Sequence, residues 1–429
     1  MPTQNRNAEI ISRSLNAVWH PCTQMKLHEH LPLVPIVKGE GAWLIDAEGN
    51  RYLDAVSSWW VNLFGHANPR INAALKDQLD QLPHTMLAGF THEPVIELSE
   101  RLGKLTGLGH AFYGSDGASA VEIALKMSFH YWRNRGLTDK KKFICLQGSY
   151  HGETIGALAV TDVAIFRDAY GPLLNSNLLN PFPGTDATAI DQLERLLAER
   201  HGDIAALIVE PLVQGASGMR LYDATSLTRM RELCTRFDVH LIADEIMTGF
   251  GRTGTMFACE QANIRADFMC LSKGLTGGYL PLSCVLTTDE VYRAFYDDHI
   301  ARGFLHSHSY TGNALACRAA LATLDIFDTD NVIEANVASA LTFSRHADAI
   351  RVHPKVRNFR HLGMIWAFDI ETEKTAFAGE FFAASLSRGV LLRPIGKTVY
   401  FMPPYVVTEE DFAWLVKQTI AAIDEVASK

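Results

Sequence analysis

Four short runs of the chain are apolar without interruption: Phe143-Ile144-Cys145-Leu146, Ala206-Leu207-Ile208-Val209, His240-Leu241-Ile242-Ala243 and Phe268-Met269-Cys270-Leu271. A strand with one wet face alternates polar and apolar residues; these do not, so both faces must be covered. Helix-like stretches with apolar residues at helical spacing lie between them, at Ala189 to Arg200 and Ser226 to Phe237. Strand and helix in alternation predict an α/β fold, with a mostly parallel sheet flanked by helices, over residues 76–325. Residues 1–75 read as an irregular segment rich in Trp, His and Pro. Residues 326–429 follow a long helix (Ala314 to Phe327). They read as a smaller α+β domain, with strands near 362–370 and 390–402 and a final helix from Glu409 to Val426. The N-terminal segment is expected to pack with that small domain. Neither an internal repeat nor a low-complexity linker interrupts the pattern.

Composition narrows the function classes. Among 429 residues, 39 are Lys or Arg and 48 are Asp or Glu, for a net charge of −9. A mildly acidic chain with no basic block is a poor partner for nucleic acid. The longest apolar stretch, Ile204 to Val209, is far short of a membrane span. Met1 to Ala8 is polar and lacks a secretory pattern. The seven Cys are odd in number, and no pair has C-x-x-C spacing. Reduced, buried thiols in a cytoplasmic protein are expected.

Two strand ends carry the chemistry. Asp244 closes one apolar run and Lys273 follows another. Ligands of open α/β sheets bind at the carboxyl ends of strands. Lys is rarely buried without a role, and burial lowers its pKa and makes the amine nucleophilic toward aldehydes. A lysine that holds an aldehyde and an acid that protonates a ring nitrogen are what pyridoxal 5'-phosphate requires. A phosphate cradle is offered by Phe112 to Ala118, where Asp116 and Gly117 form a turn before a helical stretch, Ser119 to Trp132. Tyr150, in Gly148-Ser149-Tyr150-His151-Gly152, sits after another strand and could stack on a pyridine ring.

Other motifs read less well. Gly249-Phe250-Gly251-Arg252-Thr253-Gly254 matches G-x-G-x-x-G, but a dinucleotide fingerprint begins at the strand end and opens a helix. Here Asp244 to Thr248 intervene. On a strand, His306 and His308 would point to one face, yet no third ligand stands nearby, so no metal is expected. Hydroxyls in His306-Ser307-His308-Ser309-Tyr310 suit a phosphate better.

With Asp244, Lys273, the segment Thr248 to Gly254 and Thr311-Gly312-Asn313, nearly the whole chain resembles the class III pyridoxal-phosphate aminotransferases. The resemblance implies a fold-type I transferase that works as a homodimer with shared active sites. It implies Lys273 as the residue that holds the cofactor and Asp244 as the partner of its ring nitrogen. It places Asp116 and Gly117 at the phosphate and Tyr150 against the ring. Ser307, His308 and Ser309 match a segment that reaches in from the partner subunit, with its hydroxyl on the phosphate. Trp59 and Arg393 match substrate-binding positions.

Three stretches are more specific: Trp19-His20-Pro21, Ser57-Ser58-Trp59-Trp60, and Arg393 to Lys397 with Tyr400 to Tyr405. They resemble the branch that aminates 7-keto-8-aminopelargonate in biotin biosynthesis, with S-adenosylmethionine as donor. Lysine as donor, or an ω-amino-acid:pyruvate reaction, are the alternatives. Arg393 can grip a monocarboxylate bidentately, and Pro394 holds its backbone extended. Trp59, Trp60 and Tyr400 could line a channel for an aliphatic chain, with one of the Trp pair going into the core. Many relatives carry a Glu after Gln-Gly that masks the arginine; here Gln214-Gly215 is followed by Ala216. Two departures stand out. Cys22 takes the place of a substrate-contacting Tyr, and Ser307-His308 replaces a more usual Gly-Pro.

Overall fold

The computed structural model describes residues 5–31, 33–184 and 188–427. The chain divides into two compact units: Arg70–Ile333, and Met1–Pro69 together with Glu334–Lys429.

In the larger unit, seven strands form one sheet: β1 (His110–Gly114), β2 (Lys142–Leu146), β3 (Leu178–Asn180), β4 (Ile204–Val209), β5 (His240–Asp244), β6 (Phe268–Leu271) and β7 (Ser283–Thr287). Their order is β1-β7-β6-β5-β4-β2-β3. All neighbours run parallel except β7, which is antiparallel to both β1 and β6. Every residue of β4, β5 and β6 is buried, which is why these runs show no polar alternation.

Helix α1 (Gly117–Asn134) covers the sheet with Ala120, Ile123, Ala124, Met127 and Tyr131, in a core shared with Ile208, Ile242, Phe268 and Val285. Two buried polar groups on this helix find partners. Ser128 Oγ meets His240 Nδ1 at 2.9 Å, and Trp132 Nε1 donates to the Ala205 carbonyl at 2.9 Å. At the other end, α1 starts at the carboxyl edge of the sheet. Its first turn is packed against the loop after β2. Gly152 has φ +118°, and a Cβ there would stand 2.5 Å from Ala118 Cβ.

The smaller unit contains a sheet of Ile36–Glu40, Trp43–Asp46 and Arg51–Asp54, with Val390–Leu391 added parallel to the last. A second sheet, Val356–Leu362, Ile365–Ile370 and Thr398–Phe401, is antiparallel. Helices Arg6–Ala17 and Glu409–Ala427 lie near the two chain ends. The irregular reading of residues 1–75 is therefore corrected. Its strands are short, of four or five residues, separated by turns at Gly41 and Gly49, and one partner lies far along the chain at Val390. Runs so short carry little periodicity to read. Six Cys are buried, Cys22 is exposed, and all seven are free thiols. Among the described residues no helix is long and apolar enough to cross a membrane.

Gly152→Ala forces both a positive φ and a collision with α1. It should cost the larger unit about 2 kcal/mol or more, seen as a lower melting temperature. A wild-type melting curve would refute the close packing.

Candidate active site

Parallel pairing of β5 with β6, in the register Asp244 opposite Cys270, brings two strand ends to one edge. Asp244 is buried. Its Oδ2 accepts from His151 Nδ1 at 2.7 Å, and Oδ1 accepts from Ile246 N at 3.2 Å. A carboxylate can only accept, so His151 carries its proton on Nδ1. His151 Nε2 is buried and has no hydrogen-bond partner among the described residues.

Lys273 opens a tight turn, Lys273–Thr276, just after β6, with φ +45°. Left-handed backbone is strained for a lysine, and such strain is kept where a side chain must be aimed. Lys273 is half-buried. Desolvation pushes its amine down to about 8; Asp244 and Glu210 pull it back up, and Arg252 pushes it further down. At that value a usable fraction of free amine exists near neutrality.

Glu210 follows β4 at the same edge and is 5% exposed. Its carboxyl accepts from Tyr150 N at 3.0 Å and from Gly215 N at 2.9 Å. Tyr150 is half-buried. Its Oη donates to Glu153 Oε1 at 2.9 Å, and its ring lies 5.3 Å from that of Phe166. Sequence reasoning did not single out His151, Glu210 or Arg252. Glu210 carried the same signal as Asp244, an acid closing an apolar strand. His151 stood beside Tyr150 in a quoted loop. Arg252 is buried within the glycine-rich segment that was weighed as a dinucleotide loop.

Asp116 caps α1: Oδ1 accepts from Ser119 N at 3.0 Å and Oδ2 from Ser119 Oγ at 2.6 Å. The first-turn amides of Gly117 and Ala118 have no acceptor within the helix. A Cβ on Gly117 would sit 3.1 Å from Ile246, so glycine lets this turn lie close to the strand end that carries Asp244. The segment 304–308 is a loop and not a strand, which corrects the two-histidine geometry. His308 Nε2 lies 3.3 Å from Ser115 Oγ, and its Nδ1 accepts from Tyr310 N at 3.2 Å. Ser307 and Ser309 are exposed. Among the described residues no cluster of three His, Cys, Asp or Glu side chains is disposed to hold a metal.

Residues 249–257 make successive turns and open no α-helix. Buried Glu245 holds this loop, accepting from Thr248 Oγ1 at 2.5 Å, Ala258 N at 3.1 Å and Cys259 N at 2.8 Å.

In the smaller unit, Ser57, Ser58, Trp59 and Trp60 all have positive φ. Asp54 braces the bend by accepting from Ser58 N at 2.8 Å and Ser58 Oγ at 2.7 Å. The bend sends the two indoles apart. Trp60 is buried and donates from Nε1 to Tyr400 Oη at 3.0 Å; Trp59 stays 45% exposed. Tyr400 is buried as well. The Arg393 guanidinium lies 5.1 Å from the Trp59 ring centroid, and its Nη2 donates to the Cys22 carbonyl at 3.2 Å. At Cys22 the contact to Arg393 is thus made by the backbone.

The sequence profile described as Aminotransferase class-III matches residues 24–423. Adenosylmethionine-8-amino-7-oxononanoate aminotransferase of Helicobacter pylori is 47% identical over 432 residues, covering 98% of each chain. The protein of the same name from Aquifex aeolicus is 38% identical over 434 residues, covering 95% of each. The crystal structure of adenosylmethionine-8-amino-7-oxononanoate aminotransferase from Methanocaldococcus jannaschii matches with a TM-score of 0.94 at 36% identity, over 98% of this chain and 99% of that one. The omega transaminase from Pseudomonas jessenii in complex with PMP matches with a TM-score of 0.92 at 26% identity, over 97% and 98% of the two chains. A likeness that runs through both units, and a profile that spans nearly all of the sequence, place this chain in one family: it belongs to the class III aminotransferases.

Proposed function

We propose that this chain aminates 7-keto-8-aminopelargonate to 7,8-diaminopelargonate, a step of biotin synthesis, with S-adenosylmethionine as donor and pyridoxal 5'-phosphate as cofactor. The observation that carries the reading is the edge shared by β5 and β6. There an acid held by His151 stands with a lysine whose amine titrates at about 8. The names of the relatives from Helicobacter pylori and Aquifex aeolicus support the choice of substrates.

The residues fit the cofactor. Open amides at Gly117 and Ala118 suit a phosphate, and the glycine lets the turn lie close to Ile246. When bound, pyridoxal phosphate supplies an electron-withdrawing ring through which an amino group is exchanged. Asp244, aimed by His151, would hold a proton on the ring nitrogen. Lys273 Nζ would anchor the cofactor and then serve as the base that takes the proton from the donor's amine-bearing carbon. Tyr150 would cover the ring. Arg393, whose flat cation faces the exposed Trp59 ring, would grip the keto acid's carboxylate, and Trp59 would offer its aromatic face to the aliphatic chain. Cys22 and Tyr400 flank these groups.

We place the enzyme in the cytoplasm as a homodimer. Tyr296, Ile300, Leu305 and Tyr310 are all exposed along one stretch of the larger unit. Exposed apolar groups so closely spaced call for a covering surface, here a second copy. The same stretch contains Ser307, His308 and Ser309, which would reach the partner's phosphate site.

Lys273→Ala should abolish turnover, and borohydride should no longer fix the cofactor to the chain; substantial residual turnover would sink the reading. Arg393→Ala should raise KM for the keto acid about tenfold or more while kcat changes little. An unchanged KM refutes that role. The donor is tested by single-turnover bleaching of the bound cofactor with S-adenosylmethionine, lysine and an ω-amino acid in turn. A response to lysine or the ω-amino acid alone would replace S-adenosylmethionine as donor.

A further inference from the structure

Glu210 is the second acid at the reacting edge, and none of the roles above uses it. Its backbone is fixed from outside, since its carbonyl accepts from Tyr222 Oη at 2.8 Å. Its side chain divides its two oxygens between two different loops. Oε2 accepts from Tyr150 N at 3.0 Å, and Oε1 accepts from Gly215 N at 2.9 Å. Each of the two N–H donors meets its own oxygen, so the arrangement needs an acceptor at both positions. A carboxylate supplies both. A carboxamide has an acceptor at one and an N–H₂ donor at the other, and a protonated carboxyl accepts more weakly at the oxygen that carries the proton.

The loop that carries Tyr150 is gripped elsewhere by the same neighbour. Ser217 Oγ donates to the Gly148 carbonyl, and a Cβ on Gly148 would stand 3.0 Å from Arg220 Nη1. The far end of the Tyr150 side chain donates to Glu153 on the surface, and its ring meets that of Phe166. The root of the ring is set by the Tyr150 backbone, which Glu210 holds through the amide.

We propose that Glu210 is a positioning residue which, as a carboxylate, ties the Tyr150 backbone to Gly215 and so holds the Tyr150 ring in place for the reaction. This rests on the reading above, in which Tyr150 lies against the cofactor. The charged and titratable groups around Glu210 are His151 from the Tyr150 loop, Asp244 from the end of β5, Lys273 from beyond β6, and Tyr222. Burial pushes the Glu210 carboxyl up to about 7; Asp244 pushes the same way, and His151 and the two amides oppose. The tether is complete above that pH and loosens below it.

E210Q tests this in the holoenzyme. Borohydride should still fix the cofactor to Lys273. At roughly pH 8, kcat/KM should fall about tenfold or more, and an acid limb near 7 seen in the wild type should be missing. Lys273 titrates in both proteins, and without the Glu210 charge its amine moves down, so the limb that belongs to Glu210 is the one that disappears rather than shifts. A wild-type rate with a wild-type profile overturns the proposal. Should E210Q fail to fold, hydrogen exchange at the Tyr150 amide of the wild type decides. Corrected for intrinsic pH dependence, protection should be weaker at roughly pH 6 than at roughly pH 8, relative to amides within β4. Protection independent of pH overturns the tether. A wild type that borohydride cannot label would overturn the cofactor reading, and the exchange measurement still decides the tether.

Discussion

Parallel pairing of β5 with β6 is the constraint on which the chemistry depends. Both strands are buried on both faces, so neither can slip by one residue without turning its side chains over. The register then sets Asp244 opposite Cys270, three residues before Lys273. The same burial that locks the register removes water from the strand ends. Desolvation is the largest influence on Lys273 and on Glu210. It pushes both groups toward their neutral forms, the amine down and the carboxyl up. Packing and reactivity thus have one origin.

Three buried acids stand within this region, and their hydrogen bonds divide the work. Asp244 takes an imidazole N–H from His151. Glu210 takes two backbone amides and joins two loops. Glu245, next in sequence to Asp244, takes Thr248 and the amides of Ala258 and Cys259, and so shapes the turn that carries Arg252. Neighbouring side chains at a strand end point to opposite sides. Asp244 and Glu245 therefore meet different surroundings, although one dipeptide supplies both.

The smaller unit solves its problem by backbone strain. Positive φ at each residue from Ser57 to Trp60 is costly, and Asp54 offsets it with two hydrogen bonds to Ser58. The gain is the separation of two adjacent indoles. One is buried against Tyr400, and the other is left out beside a guanidinium. Nothing in the dipeptide Trp59-Trp60 reveals which is which.

Local pattern was enough for the α/β class, for the buried strands and their helices, and for the strand-end positions of Asp244 and Lys273, because apolar periodicity and chain punctuation are properties of neighbouring residues. The strands at 36–54 escaped notice because each is only four or five residues long, and the last of them is completed by Val390, far along the chain. His151, Glu210 and Arg252 escaped for a related reason. A buried polar side chain is defined by what it meets, and the amide of Tyr150 meets Glu210 only once β2 and β4 are paired. Sequence alone determined which residues could be strand ends and which of those bore an acid or an amine. The order of the strands decided which of them became neighbours, because side chains distant along the chain share a site only where the sheet brings their strands together.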